Sequence, residues 1–475
     1  MMWLALWACA PKAPVAAPVL AELDRTMMPA ALAPRTFELP DVQVASLANG
    51  VDVLLVEDHE LPLVTVRLAL DLGSSHDPEG LARLASVTMD MLNEGAGELD
   101  VTAIEQERRR LGMSLGQSAG WDSSAVSTTH VTRNLEPGLD LMAAVVLEPT
   151  FPEALWEVEQ KSRLQSYQRN LREPGALARR VGGALMYGDA YHGRLSQEAD
   201  YQAITTDAMA AWHRDHVHAG NATFLVSGDT TLEQIVPLLD ARFGSWGGEG
   251  ANPDASPTMQ QPEATTIYLV DLPGSAQSVV RGSTFVPGRT AADFDALQVA
   301  NLVFGGQFTS RLNMNLREDK GWTYGARSSL SNSHGNSLWG FSTSVKSEVT
   351  AEALAEALRE LAAVGGDAPL SAEELAYQQS SAIQGYPRRF EQPAYLLDRT
   401  WDERLYELPS DWTERFPERI GGVTLEAAQA AFTEHVVNQP LAIVVVGDVA
   451  SIQEPLEALG HPVVLLDSDA RPLEN

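Results

Sequence analysis

Arg317 and Tyr324 are the two side chains of this sequence whose types and spacing first suggest chemistry. They lie seven residues apart, and a fixed guanidinium beside a phenol can stabilise an oxyanion or bind a peptide carbonyl. The structural alternative is that Arg317 stacks on an aromatic ring or pairs with Asp319. Both interpretations remain open at this point.

The residues around this pair predict a helix, a tight turn and a strand. An apolar residue recurs every four positions, the spacing of one helical face, at Phe308, Leu312 and Leu316. Gly321 follows a charged stretch and predicts the end of the helix. The next residues alternate as in a strand, with one side formed by Trp322, Tyr324 and Ala326. We therefore expect Arg317 and Tyr324 to share one rim.

Length and composition describe a folded protein with more than one domain. The chain has 475 residues, of which 44% are hydrophobic and 20% are charged. Its net charge of −31 argues against nucleic acid and against an anionic membrane surface as direct partners. The same charge fits either a cationic peptide substrate or a solubilising acidic surface.

The amino-terminal segment carries the single cysteine, Cys9, so neither an intrachain disulfide nor a cysteine zinc site is available. Residues 6–9 (LWAC) end a short apolar run and resemble a bacterial lipobox, in which the cysteine becomes the lipidated terminus. Residues 10–20 are rich in Ala and Pro and predict an extended tether. We expect a periplasmic lipoprotein that meets the membrane only through this anchor, since no later run is apolar enough to span it.

Two parts of the chain echo each other. Residues 269–271 (LVD) repeat residues 55–57 (LVE) at an offset of 214. A second set repeats at an offset of 219, with Thr205, His216, Gly228 and Asp229 matched by Thr424, His435, Gly447 and Asp448. Two copies of one unit of about 200 residues explain this pattern. Each copy mixes hairpin-like strands with helices, which predicts an α+β fold.

The repeat and the composition together give a domain plan. We predict a signal and tether at 1–45, a first domain at 46–246 and a linker at 247–264, which is rich in Gly and Pro. A second domain at 265–468 precedes a tail at 469–475.

Within the first copy, residues 80–92 predict a helix. A second helix follows, with Thr102 as its cap and Glu105 completing a capping box. The stretch at 305–329 is expected to occupy, in the second copy, the place of the helix at 80–95.

Several short segments, in this order, resemble one protein family. They are residues 77–82 (DPEGLA), 120–122 (GWD), 145–151 (VVLEPTF), 310–312 (SRL), 316–318 (LRE), and Gly321 with Tyr324. Over residues 47–459 the chain resembles the inverzincin metallopeptidases of the insulinase and pitrilysin type. It is most similar to the two-domain processing-peptidase subunits. The resemblance implies two homologous domains that pack as one half of a clam.

The family's zinc site is missing from the matching positions. The resemblance implies an H-x-x-E-H motif whose histidines bind zinc and whose glutamate activates water. Arg83 and Val87 stand in place of the histidines, and Ser86 replaces the glutamate. The third ligand would fall near Ser166, yet residues 160–172 contain no glutamate. Arginine cannot become a metal ligand, so we expect no cofactor in this chain and zinc in a partner.

A histidine cluster offers one alternative metal site. His213, His216 and His218 follow an H-x-x-H-x-H spacing beside Asp215. Because His216 has a counterpart in His435, a repeated structural role is the favoured interpretation.

The resemblance also assigns a role to the opening pair. Arg317 and Tyr324 match the arginine and tyrosine that one subunit of such peptidases supplies to the other's active site. The first hypothesis is an incomplete subunit of a heterodimeric zinc peptidase that hydrolyses peptides with an H-x-x-E-H partner. The alternative is a non-catalytic peptide-binding or scaffold protein. A peptidase active on its own ranks last, because it needs ligands that the sequence lacks.

Overall fold

The computed structural model describes residues 38–248, 259–331 and 334–473. From Leu39 onward the chain forms one compact unit. Within the described residues, helices cover two six-stranded sheets, which confirms the predicted α+β class. Cys9 and the central part of the predicted linker, residues 249–258, lie outside the described residues.

The first sheet is built by residues 43–228. Its strands, in chain order, are β1 (Gln43–Ser46), β2 (Asp52–Glu57), β3 (Leu63–Leu70), β6 (Ser114–Ala119), β7 (Ser124–Val131) and β8 (Ala222–Gly228). Their order across the sheet is β1-β2-β8-β3-β7-β6. Neighbours run antiparallel, except for the parallel pair β2 and β8. A small separate hairpin is formed by β4 (Gly95–Ala96) and β5 (Leu99–Asp100).

The second sheet repeats this plan in residues 266–466. Its strands are β9 (Thr266–Asp271), β10 (Gln277–Val286), β11 (Thr323–Leu330), β12 (Ser337–Lys346), β13 (Ala442–Gly447) and β14 (Val463–Leu466). Their order is β11-β12-β10-β13-β9-β14. Here β9 lies parallel to both β13 and β14.

Sixteen α-helices lie in the described residues. Eight belong to the first half, the part of the chain that forms the first sheet, and eight to the second half, which forms the second sheet. Those of the first half are α1 (Leu84–Met91), α2 (Val101–Leu111), α3 (Leu135–Leu147), α4 (Glu153–Asn170), α5 (Pro174–Tyr187), α6 (Glu198–Ala203), α7 (Thr206–His216) and α8 (Leu232–Phe243). Those of the second half are α9 (Phe294–Asn301), α10 (Arg311–Asn313), α11 (Thr350–Val364), α12 (Ala372–Gly385), α13 (Pro393–Leu405), α14 (Phe416–Gly421), α15 (Leu425–Phe432) and α16 (Val449–Glu457). Two π-helical segments, Leu302–Gly306 and Met314–Asp319, flank α10.

The central strands β8 and β13 are covered on both faces. Their sequences, ATFLVSG and AIVVVG, are almost continuously apolar or small, and all but the last residue of β8 are buried. Continuous apolar runs are typical of strands packed on two sides. One face of each sheet contacts helices of its own half, so something else must cover the opposite face.

An exchange of helices covers the opposite faces. Leu177 and Val181 of α5, from the first half, pack with Val444 and Val446 of the second sheet. In return, α13 of the second half packs Leu397 and Trp401 against Leu54 and Leu225 of the first sheet. The two helices begin at equivalent positions of the repeat, since 393 − 174 = 219. Neither helix was among the elements predicted from sequence.

Two local predictions were wrong. The cap of α2 is Asp100, whose Oδ1 accepts from the backbone N–H of Ala103 at 2.8 Å, and not Thr102. The stretch at 305–329 does not replace the helix at 80–95 either. Helix α9 follows β10 as α1 follows β3, while β11 occupies the same sheet edge as β6. The loop before α9 is shorter than the loop before α1, so these two helices are offset by only 210 residues (294 − 84). The larger offsets seen elsewhere in the repeat therefore led to the wrong helix being matched.

Candidate functional site

Arg317 lies on the π-helical segment Met314–Asp319. Leu312 and Leu316 are fully buried and anchor this segment on the core, as the apolar spacing predicted. Phe308 instead lies in the turn before α10 and is 55% exposed. The Arg317 guanidinium stacks over the Phe308 ring at 4.6 Å, and its Nε lies 3.2 Å from Glu318 Oε1. The aromatic stack expected as an alternative therefore exists, and the ion pair is with Glu318 instead of Asp319.

Tyr324 projects from an irregular start of the edge strand β11. Gly321 has a φ of +66° and turns the chain into the strand. Thr323 pairs with Val345 but Ala326 pairs with Thr343, so β11 contains one extra residue, a β-bulge. Tyr324 is consequently 92% exposed while Ala326 is fully buried. The prediction that these two residues share one side was wrong, because a bulge reverses the alternation.

Hydrogen bonds hold the bulge in this shape. Thr323 Oγ1 accepts from the Gly325 N–H at 3.1 Å and lies 3.0 Å from Thr343 Oγ1. Asn313 Oδ1 accepts from the Ala326 N–H at 3.1 Å, and its Nδ2 donates to the Phe308 carbonyl at 2.7 Å. These contacts tie the turn at Phe308, helix α10 and strand β11 together. The backbone that carries Tyr324 is therefore braced before any ligand arrives.

Arg83 precedes α1 in a left-handed conformation, with a φ of +83°. Such a backbone costs about 1–3 kcal/mol for a residue other than glycine. Buried Asp77 holds it, accepting from the N–H groups of Arg83 at 2.8 Å and Ala85 at 2.7 Å. Burial raises the pKa of Asp77 to about 6, against these hydrogen bonds. Arg83 is exposed, whereas Val87 is fully buried, so the two positions share no open helical face.

The residues at the expected metal positions do not fit a zinc ion. Arg83 and Val87 offer no lone pair to a metal, and Ser86 is half-buried in helix α1. Ser166 Oγ already accepts from Arg169 Nη2 at 2.9 Å. The described residues also contain no group of three or more His, Cys, Asp or Glu side chains placed to hold a metal.

The histidine cluster at the end of α7 has structural contacts. His213 Nε2 lies 2.8 Å from the Val146 carbonyl, and burial lowers the pKa of His213. The His216 ring meets the His76 ring edge-on at 5.1 Å. Its counterpart His435 instead pairs with Asp293, Nε2 to Oδ2, at 2.5 Å. His216 thus connects the end of α7 to the segment before α1. His435 connects the residues after α15 to the segment before α9 in the same way.

Comparison with known proteins adds the family. A model described as the peptidase M16 inactive domain matches residues 203–381. The crystal structure of a peptidase M16 inactive domain from Pseudomonas fluorescens has a TM-score of 0.76 and 25% identity, covering 86% of this chain and 98% of that one. Both matches are to peptidase M16 proteins. The family resemblance found in the sequence motifs is thereby confirmed.

Two curated relatives are distant, and this chain matches about half or less of their length. The probable zinc protease PqqL of Escherichia coli is 22% identical over 204 residues, which are 42% of this chain and 22% of PqqL. Subunit 1 of the mitochondrial cytochrome b-c1 complex of Bos taurus is 23% identical over 274 residues, 56% of each chain. The crystal structure of the periplasmic protease PqqL has a TM-score of 0.72 at 16% identity and covers 88% of this chain and 48% of PqqL.

Sequence analysis missed one group of side chains in this protein. Arg83 shares a cavity between the two halves with Arg179 and Arg281, among other residues. The sequence contained one weak indication of this group, because the charged Arg281 interrupts the apolar and small residues of β10. No helix among the described residues has the length and hydropathy needed to cross a membrane.

Proposed function

We propose that this M16 chain is the catalytically incomplete subunit of a heterodimeric zinc metallopeptidase. A homologous partner would carry H-x-x-E-H and the zinc. Arg317 and Tyr324 of this chain would then act in trans on the scissile carbonyl of a bound peptide. The absence of fitting metal ligands at Arg83, Ser86 and Val87 supports assigning the metal to the partner.

The exposure of Tyr324 is the observation that carries this proposal. Its ring is 92% exposed, and its hydroxyl makes no hydrogen bond to any described residue. A tyrosine that stabilised its own fold would bury much of its large ring. Here a bulge braced by Thr323 and Asn313 holds the ring outside instead. Such an arrangement suits contact with a molecule outside this chain.

Arg317 is presented in a compatible way. Glu318 approaches only its Nε, so both terminal nitrogens remain without a hydrogen bond within the described part of the chain. The Phe308 ring fixes the plane of the guanidinium through a cation–π contact. A charged planar donor and a phenolic O–H can together stabilise the negative charge that develops on a carbonyl oxygen.

The test uses the assembled pair. We expect Tyr324→Phe and Arg317→Ala each to lower kcat by about 10²–10³-fold, the usual effect of losing one oxyanion donor. Zinc content and assembly should stay unchanged, since neither side chain packs in the core. Peptide hydrolysis would be measured after mixing this chain with a co-expressed H-x-x-E-H homologue.

Tyr377→Phe is the matched control, because Tyr377 on α12 is also exposed, at 56%. It should leave turnover unchanged. Equal kinetics for the parent and the Tyr324→Phe pair would refute the trans role. Zinc and activity in the isolated parent chain would refute the incomplete-subunit proposal as a whole.

A second candidate function is a non-catalytic peptide-binding or scaffold protein. Complete burial of Val87, at a position where the family resemblance implies a zinc ligand, favours it, since that side chain packs in the core. Similarity to a cytochrome b-c1 subunit is consistent with the same view. Purification of the chain from its native cells distinguishes the two functions. A co-purifying H-x-x-E-H protein supports the peptidase, and its consistent absence supports the scaffold.

We also propose a periplasmic location with a lipid anchor at Cys9. The lipobox-like residues 6–9 and the periplasmic relative PqqL support this location. Cell fractionation of the parent chain beside Cys9→Ala tests it. The variant should leave the membrane fraction, and retention of both chains there would contradict the anchor.

A further inference from the structure

A cavity of about 410 Å³ lies between the two halves of the molecule. The first half contributes residues that include Arg83, Arg179 and His192, and the second contributes Arg281, Ser283 and Leu338. Because the exchanged helix α5 forms part of the wall, the cavity exists only where both halves meet. Neither Arg317 nor Tyr324 lines this cavity, so it is a separate site.

Arginine dominates the charge of this cavity. Five arginines line it, namely Arg83, Arg179, Arg180, Arg194 and Arg281. Among the described residues that line it, the only carboxylate is that of Asp77, which already accepts two backbone N–H groups. A concentration of positive charge in a chain of net charge −31 is the opposite of what the composition predicts.

Two of these arginines have a structural partner that explains them. Arg180 Nη2 pairs with Asp469 at 2.8 Å, and its guanidinium lies 5.5 Å from the centre of the Tyr167 ring. Arg194 Nη1 donates to the Asp77 carbonyl at 2.6 Å. These contacts account for their positions without any ligand.

Arg179 and Arg281 have no such explanation. Neither makes a hydrogen bond or an ion pair within the described residues. Arg281 projects from the central strand β10, where burial and then the charge of Arg179 lower the pKa of its guanidinium. Arg281 is half-buried and Arg179 is exposed. An anion between them would offset both their mutual repulsion and the cost of burying the Arg281 charge.

His192 supplies an independent sign of a missing ligand. It lines the same cavity and is only 5% exposed, yet neither ring nitrogen has a hydrogen-bond partner among the described residues. Its ring packs against Tyr191 at 3.9 Å and Trp121 at 4.2 Å. Buried polar atoms are normally satisfied, so His192 has a free donor and acceptor beside an aromatic wall.

We propose that this cavity binds the oxyanion group of a small organic acid or phosphate, with Arg179 and Arg281 as charge partners and His192 as a hydrogen-bond partner. Guanidinium groups recognise carboxylate and phosphate through paired N–H donors. The adjacent aromatic wall fits an apolar group attached to that anion. A peptide ending in an apolar residue with a free carboxylate carries both features.

The experiment titrates the isolated full chain, because the site lies within this chain and requires no partner subunit. Three probes are compared by calorimetry: a short peptide ending in phenylalanine with a free carboxylate, the same peptide with a terminal amide, and inorganic phosphate. We expect one saturable site for at least one oxyanion probe and about tenfold weaker binding of the amide, the effect of losing one charge-assisted hydrogen bond.

Variants identify the site. Arg281→Gln and Arg179→Gln should each weaken oxyanion binding about tenfold, while Arg281→Lys should retain part of it. The control is Arg133→Gln, since Arg133 is exposed and does not line the cavity. If Arg281→Gln does not fold, as judged by thermal unfolding, the exposed Arg179 decides the result. If the peptide acid binds more tightly than phosphate, the oxyanion that the cavity recognises is a carboxylate. The reverse order identifies it as a phosphate.

Absence of saturable binding by every probe, or equal binding by the parent and Arg179→Gln chains, would overturn the proposal. This result is independent of the trans-acting role of Tyr324, which is measured by turnover of an assembled pair. Failure of one proposal therefore leaves the other standing.

Discussion

β6 and β11 occupy the same edge of the two sheets, but only β11 departs from regular pairing. All six residues of β6 pair in one register with β7, whereas β11 gains a residue between Thr323 and Ala326. That extra residue turns Tyr324 outward, where it is 92% exposed. Equivalent frameworks can thus carry different surfaces, because a single inserted residue changes which side chains a strand presents.

Helix α1 of the first half differs in the opposite sense. Val87 of α1 is part of the core, and Arg83, just before the helix, lines the cavity between the halves. Bulges are typical of functional edges, while buried apolar side chains mainly stabilise. The comparison therefore separates a half whose α1 position packs in the core from a half that exposes Tyr324 on a bulged strand.

The exchanged helices α5 and α13 allow the strongest test of how far the halves depend on each other. We expect Leu177→Ala on α5 and Trp401→Ala on α13 each to lower the free energy of unfolding by about 3–5 kcal/mol through cavity formation. Both side chains are buried, and each packs on the sheet of the opposite half. Urea denaturation measures the loss.

Hydrogen exchange then locates the damage. Leu177→Ala should reduce protection in β13 of the second half, and Trp401→Ala should reduce protection in β2 and β8 of the first. Loss of protection confined to each helix's own half would show that the exchange of helices does not couple the two sheets.

A buried histidine, which at this position is present only in the first half, should make the free energy of unfolding depend on pH. His130 and Val345 occupy equivalent registers, each one position from the end of its pairing with β3 or β10. His130 is fully buried, and burial lowers its pKa to about 4. Below pH 6.5 the unfolded chain gains a proton that the folded chain takes up only near pH 4. Stability should therefore decrease as the pH falls through this window.

The expected contribution of His130 between pH 6.5 and 5 is about 2 kcal/mol, at 1.36 kcal/mol for each unit. His130→Val, which installs the residue of the second half, should remove that share of the slope. Urea denaturation of both chains at pH 7 and pH 5 measures it. Equal slopes for the two chains would show that His130 does not contribute to acid sensitivity.

Local patterns in the sequence were sufficient for much of this fold. The Gly321 turn and the buried Leu312 and Leu316 both follow from short-range spacing. Exchange of α5 and α13 was not predictable in this way, since amphipathic spacing says which face is apolar but not which sheet covers it. The bulge at Tyr324 was missed because one inserted residue leaves the alternating pattern visible while reversing its faces.

The cavity was missed for a similar reason. Arg179 and Arg281 are 102 residues apart (281 − 179) and meet only after the halves have assembled. Net charge was a poor guide to this site, because it describes the whole surface and not one cleft.

The brace at Thr323 permits the finest test of the difference between the edge strands. Thr323→Val removes the hydroxyl that accepts from Gly325 and contacts Thr343. We expect a loss of about 1 kcal/mol in stability, the net value of a typical hydrogen bond. We also expect lower turnover of the assembled pair, because Tyr324 would lose its fixed orientation.

Thr129→Val is the matched control, since it breaks a similar contact with Thr65 Oγ1 at 3.1 Å in the first half. The two variants should lose similar stability, and only Thr323→Val should lose activity. Equal turnover in both would mean that the bulge does not position Tyr324 for catalysis and shapes the sheet edge alone.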